Sequence, residues 1–155
     1  MKGDKKVLAH LNALLAGELT AADQYFTHAR MYAYWGLPKL HEHVAHEMAE
    51  ELDHASQLIA RILFLEGVPD LSKRDPLTIG KSVPEMMAND LELELKVVAH
   101  LREVIAYCEQ VNDYQTREIL RAMLADTEED HTDWLEKQIG LIDKTGLQNY
   151  LQSQM

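Results

Sequence analysis

Glu51-Leu52-Asp53-His54 and Glu128-Glu129-Asp130-His131 are two copies of one pattern, Glu-x-x-His. Each follows a single glutamate, Glu18 for the first and Glu94 for the second, at distances that agree to within one residue. On an α-helix, residues three apart share a face, so each copy offers a carboxylate and an imidazole to the same side. Two such motifs with two further glutamates make the ligand set with which four helices hold a pair of metal ions inside a bundle. Carboxylate oxygens suit hard divalent cations, and imidazole extends the choice to Fe, Mn and Zn. Glu18 itself lies among Leu11, Leu14, Leu15, Ala22, Tyr25 and Phe26, which recur at three- and four-residue steps. A carboxylate inside an apolar stripe needs a partner. The spacing therefore assigns Glu18 and His54 as terminal ligands of one metal and Glu94 and His131 as those of the other. Glu51 and Glu128 are expected to bridge them.

Working outward, Asp4 caps a helix that runs to about Trp35 and is stopped by Gly36 and Pro38. A second helix is expected from near Lys39 to Gly67, with Pro69 barring continuation. Residues 68 to 82 carry Pro69, Pro76 and Gly80 and show no helical period. The capping box Ser82-Val83-Pro84-Glu85 opens a third helix that reaches Val111. Asn112-Asp113 breaks it, a fourth helix follows to about Ile139, and a short last one is expected near Lys144 to Gln152, after Gly140. Helices one and two, and three and four, are joined by a few residues, which makes antiparallel hairpins. Each main helix is about 40 Å long, and the central connection can extend to roughly 50 Å, enough to cross the bundle. Two hairpins joined by one long crossover form the ferritin-like version of the all-α four-helix bundle, here with a short C-terminal fifth helix. Residues 1–155 read as one domain of that kind.

The formal net charge is −11, and no block of basic residues interrupts it. This argues against a nucleic-acid partner or an anionic membrane surface. Cys108 is the only cysteine, so no internal disulfide forms, and its apolar neighbours make it a core thiol. The opening Met1-Lys2-Gly3-Asp4-Lys5-Lys6 loosely mimics a secretion signal, but His10, Asn12 and Glu18 are too polar for a signal core. No apolar run approaches membrane-spanning length. A cytoplasmic location is expected.

Tyr25 falls seven residues after Glu18 on the same face, where it could hydrogen-bond the centre or pass an electron; a core tyrosine with a satisfied hydroxyl is an equal reading. His46 and Glu50 lie one turn apart and could guide a cation inward. His41 and His43 read as solvated, and His10, His28 and His100 as surface or satisfied core residues.

Several strings make this chain resemble the bacterioferritins over nearly its whole length. Beside the ligand set they are Met1-Lys2-Gly3-Asp4, Gly17-Glu18-Leu19, Asp23-Gln24-Tyr25-Phe26, the run from Arg61 to Gly67, and Asn149-Tyr150-Leu151-Gln152. The resemblance implies a ferroxidase with an intra-subunit di-iron centre, which oxidises Fe(II) with dioxygen or peroxide. It also implies a hollow homo-oligomeric shell of twenty-four subunits in which ferric mineral is stored, and release by a ferredoxin-type reductase. Two departures stand out. Bacterioferritins ligate haem b with a Met directly after the Glu of the first motif, and here that position is Leu52; the thioether of Met48, one turn earlier, could substitute as haem ligand, although a flexible core or interface filler is the favoured reading of it. The fourth helix also carries one extra residue before its motif, at Asp126-Thr127-Glu128, which a π-bulge could absorb. Together these point to the haem-poor type of subunit, assembled alone or with a haem-binding paralogous subunit. The alternative is a non-storage di-iron peroxidase or oxidase of rubrerythrin type, although the cysteine pairs of typical rubrerythrins are absent.

Overall fold

A computed structural model describes residues 1–155, and its secondary structure is entirely helical. α1 spans Lys5–Tyr34, α2 Pro38–Phe64 and α3 Val83–Gln110. The fourth rod is continuous but changes character along its length: α4 is Tyr114–Ala125, a π-helical segment covers Asp126–Thr132, and α5 is Asp133–Thr145. A last helix, α6, covers Leu147–Ser153.

The helix ends follow local chemistry. The Asp4 carboxylate accepts from the amides of Lys6 and Val7, and the Ser82 hydroxyl accepts from Glu85 N–H, so both caps act as the sequence suggests. Two boundaries differ from expectation. α2 ends at Phe64 rather than Gly67, because Glu66 takes the left-handed position (φ 63°) and Gly67 N–H reaches back to the Ile62 carbonyl. The last break falls at Gly146 (φ 83°), not Gly140, which sits inside α5 with open space where a Cβ would be. Gly146 supplies a positive φ at little cost, whereas Gly140 needs none.

The crossover is tied along α1 by a stripe of polar side chains. Asn12 accepts from Asp70 N–H, Thr20 Oγ1 from Asp75 N–H, Gln24 Oε1 from Thr78 N–H and His28 Nε2 from Gly80 N–H. The last three tethers recur every four residues, so one face of α1 satisfies the backbone of a segment that lacks backbone–backbone hydrogen bonds of its own. His28 is thus a satisfied core histidine, with Nδ1 2.8 Å from Asp90.

The apolar interior is split in two. One cluster gathers Leu11, Leu15, Leu58, Ile62, Leu101, Leu120 and Met123, and the other Tyr25, Tyr32, Leu40, Val44, Met86, Met87 and Leu135. Cys108 lies buried in the first cluster, and burial pushes its thiol up to about 11. Each of the four rods contributes to both clusters. Between the two, every rod turns a polar side chain inward.

Candidate metal centre

That polar layer holds Glu18, Glu51, His54, Glu94 and His131, all buried. Glu18, Glu51 and His54 bring potential ligand atoms within 4.8 Å of one another, and so do Glu51, Glu94 and His131. Glu51 belongs to both groups. His54 Nδ1 lies 3.5 Å from Glu18 and 3.7 Å from Glu51, while His131 Nδ1 lies 2.8 Å from Glu51 and 3.4 Å from Glu94. The two imidazoles are nearly parallel, with centroids 6.3 Å apart. Each turns Nδ1 inward and gives Nε2 to an outer carboxylate: Asp126 at 3.0 Å from His54, Glu50 at 2.6 Å and Glu47 at 2.5 Å from His131. Such outer carboxylates fix ring orientation and leave the inner nitrogen free for a metal.

The electrostatics express crowding. Burial, then the neighbouring Glu51 carboxylate, raises Glu18 well above the ordinary carboxylate range. Burial likewise raises Glu94, against the pull of His131 and Tyr25. For His54, burial alone would lower the pKa, but the neighbouring Glu18 and Glu51 carboxylates override it and lift the ring to about 11. His131 is displaced upward in the same way by Glu47, Glu51 and Glu94. Glu47 is resisted by burial, yet hydrogen bonds to His131 and His43 bring it down to about 2. Burial and mutual repulsion thus push the Glu18 and Glu94 carboxyls toward their neutral forms, while the surrounding carboxylates favour the charged forms of both imidazoles.

Tyr25 donates its hydroxyl to Glu94 Oε1, so it touches the layer directly. Glu50 also belongs to the layer's edge, whereas His46 is exposed and pairs with Glu50 at 2.8 Å. His43 is not simply solvated: it stacks on Trp134 at 3.8 Å and hydrogen-bonds Glu47. Sequence reasoning passed over Glu47, Asp126 and Asp130, although Glu47 lies one turn before Glu51 on the same face of α2. Glu47, Glu50, Asp130 and His131 form a further group of convergent ligand atoms.

Glu128 is the exception. Expected as the second bridge, it instead accepts from Arg102 Nε at 3.1 Å and Nη2 at 2.5 Å, and its side chain is 34% exposed. The physical reason is the π-helical segment. Its i→i+5 bonding gives about 4.4 residues per turn, so positions three apart lie about 115° apart around the axis instead of about 60°. Glu128 and His131 therefore no longer share a face. Thr127 is the buried residue in this stretch, with Oγ1 donating to the Met123 carbonyl at 2.8 Å. The haem position also departs from the family pattern. Leu52 is 47% exposed and has no lone pair to offer, and Met48 packs against the second apolar cluster.

Two hairpins with a long crossover, carrying convergent carboxylates and imidazoles at mid-bundle, define the ferritin-like class of helical proteins. The comparisons with known proteins agree: the Ferritin-like domain family matches residues 8–145. The chain is 62% identical to a bacterial ferritin of Synechocystis over 155 residues, covering 100% of this chain and 99% of that one. It is 55% identical to a bacterial ferritin of Pseudomonas aeruginosa, with both chains covered fully. Against a bacterioferritin of Rhodobacter capsulatus the identity is 45%, over 97% of this chain and 92% of the other. The chain belongs to the ferritin family, in its bacterial ferritin and bacterioferritin branch.

Proposed function

We propose that this protein stores and detoxifies iron, oxidising Fe(II) at the mid-bundle layer and depositing ferric mineral inside a multi-subunit shell. The observation that carries the reading is a set of buried polar atoms aimed at one another: both carboxylate oxygens of Glu18, Glu94 Oε2 and His54 Nδ1 make no close hydrogen bond, and Glu51 Oε1 lies 2.8 Å from His131 Nδ1. Buried groups of this kind are rarely left unmatched, and divalent cations supply the charge and coordination they need. Glu18 and His54 would hold one Fe(II), Glu94 and His131 the other, with Glu51 between them. Oxidation takes one electron from each Fe(II) and passes the pair, with two protons, to dioxygen or peroxide. Tyr25, hydrogen-bonded to Glu94, holds that ligand in place during turnover.

Assembly is part of the proposal. Phe26, Tyr34, Trp35, Leu63 and Phe64 are exposed on the single bundle, and an apolar surface of this kind suits burial between identical subunits. The shell is a homopolymer or is mixed with a haem-binding paralogue, and a ferredoxin-type reductase would mobilise its mineral. No helix is long and apolar enough to cross a membrane, and the working site of the protein is taken to be the cytoplasm. The direct test combines stopped-flow oxidation at two Fe(II) per subunit with mass and iron counts on the purified protein. A fast oxidation phase, a high-mass shell and iron far above two per subunit are expected. Iron that never exceeds the di-iron stoichiometry would favour the rubrerythrin-type alternative.

A further inference from the structure

We propose that the π-helical register of Asp126–Thr132 withdraws Glu128 from the metals and makes it, with Arg102, a latch that holds this register, so that Glu51 alone bridges the centre. The inference rests on the di-metal reading above and specifies its ligand set.

Three observations converge. First, Glu128 is engaged elsewhere: Arg102 of α3 donates to it through two nitrogens, across the groove between α3 and the fourth rod. Secondly, the inward position of the segment belongs to Thr127, which is buried and whose hydroxyl donates to the Met123 carbonyl. Thirdly, of the three groups of convergent ligand atoms, the one that contains Glu18 and the one that contains Glu94 share Glu51 and only Glu51. The segment's other carboxylates meet the outer sides of the imidazoles: Asp126, 60% exposed, lies 3.0 Å from the outer nitrogen of His54 and orients the ring, and Asp130 converges with Glu47 and Glu50 beside His131. The first hairpin has no such displacement, because Glu51 and His54 lie in regular α-helix and face inward together.

The register also gives the latch its purpose. A π-helical turn is a costly, local arrangement that persists where neighbouring contacts hold it. Two guanidinium nitrogens of Arg102 converge on one oxygen, Oε1 of Glu128, in the middle of the segment, and this charge-assisted contact holds the segment rotated toward α3. Arg102 is therefore a positioning residue: it acts on the metals only by deciding which way Glu128 faces.

The test is Co(II) binding to the assembled, iron-free protein, followed by the visible d–d bands and by calorimetry. Glu51→Gln is expected to weaken Co(II) by more than about a hundredfold or to remove one equivalent, beyond the usual effect of losing an outer hydrogen bond. Glu128→Gln should retain both equivalents, with affinity changed by less than about fivefold, the most that a surface ion pair contributes. Arg102→Ala should also retain both, but its Co(II) bands should shift as the freed carboxylate gains access, and the shift should vanish in the Arg102→Ala, Glu128→Gln double variant. Loss of a Co(II) equivalent in Glu128→Gln, with shell mass and helicity unchanged, would overturn the proposal. So would Arg102→Ala bands identical to those of the parent protein. An unchanged Glu51→Gln would instead defeat the di-metal reading itself.

Discussion

The two hairpins carry the same motif and use it differently. In the first, Glu18, Glu51 and His54 project from uninterrupted α-helices into one buried layer. In the second, Glu94 and His131 do the same, but Glu128 faces outward to Arg102 because the turn around it is π-helical. A Glu-x-x-His string states a chemical capacity only together with the pitch of the helix that bears it. The same Glu-x-x-His pattern turns two donor side chains inward in one half of the molecule and one in the other.

The strongest way to break this comparison is to remove the matching glutamates in turn. Glu51→Ala should abolish fast Fe(II) oxidation, while Glu128→Ala should keep most of it, a difference of more than about a hundredfold in the fast-phase rate. Equal losses in stopped-flow would show that the hairpins are equivalent after all.

A second experiment sets the polar layer against the apolar clusters on either side of it. Glu94→Ala should likewise eliminate the fast phase, yet leave the iron-free shell as stable as before or more so. It removes a buried carboxylate whose Oε2 lacks a partner, at the expense of the Tyr25 hydrogen bond. Leu101→Ala, fully buried in the first cluster, should cost about 2–5 kcal/mol by denaturant titration and leave metal binding intact. A large loss of stability in Glu94→Ala would mean that the layer is held together by its own ion pairs rather than poised for a cation.

Proton release sharpens the same point. His54 stands at about 11 against an ordinary 6.5, and Glu18 and Glu94 are also raised. Groups raised in the folded state stabilise it fully below their unfolded values and lose that contribution as pH climbs through the folded ones. For His54 the window runs from about 6.5 to about 11. Metal-free protein should therefore lose stability with rising pH across that range, while divalent-metal affinity rises, because each ligand must surrender its proton. Weakly buffered titration should register proton release on Zn(II) binding, and Glu51→Gln should diminish it. Metal affinity that is flat between pH 6 and 8, by calorimetry, would contradict this account.

The smallest effect concerns the outer face of α2. Leu52→Met is an exposed change of nearly equal volume and should cost under about 1.5 kcal/mol. The unmodified shell should hold little haem, and the variant more when haem is supplied, as read from its visible spectrum. Haem in the unmodified protein that disappears in Met48→Leu would assign ligation to Met48 instead.

Much of this was legible before any coordinates. Asp4, Ser82, Gly36 and the prolines mark helix ends through caps and forbidden dihedrals, and the lengths of the connections require two hairpins and a crossover. The inward stripe around Glu18 announces a buried carboxylate because apolar periodicity and charge collide there. Less visible were Glu47 and Asp126, which matter through contacts with imidazoles from other helices, and such contacts leave no local pattern. His43 read as solvated for the same reason, since its stacking partner Trp134 lies on a distant part of the chain.

What the chain alone determines is the inventory: which helices exist, in what order, and that carboxylates and imidazoles recur at mid-length in each hairpin. The resemblance to the bacterioferritins adds one surplus residue before the second motif. Where that surplus is absorbed, and which carboxylate consequently faces the centre, is a tertiary decision. Leu120 and Met123 are anchored in one apolar cluster and Leu135 in the other, so the rod between them cannot rotate as a whole. The extra residue must be taken up locally, as a widened turn, and the rotation it imposes carries Glu128 out to Arg102 while His131 stays within.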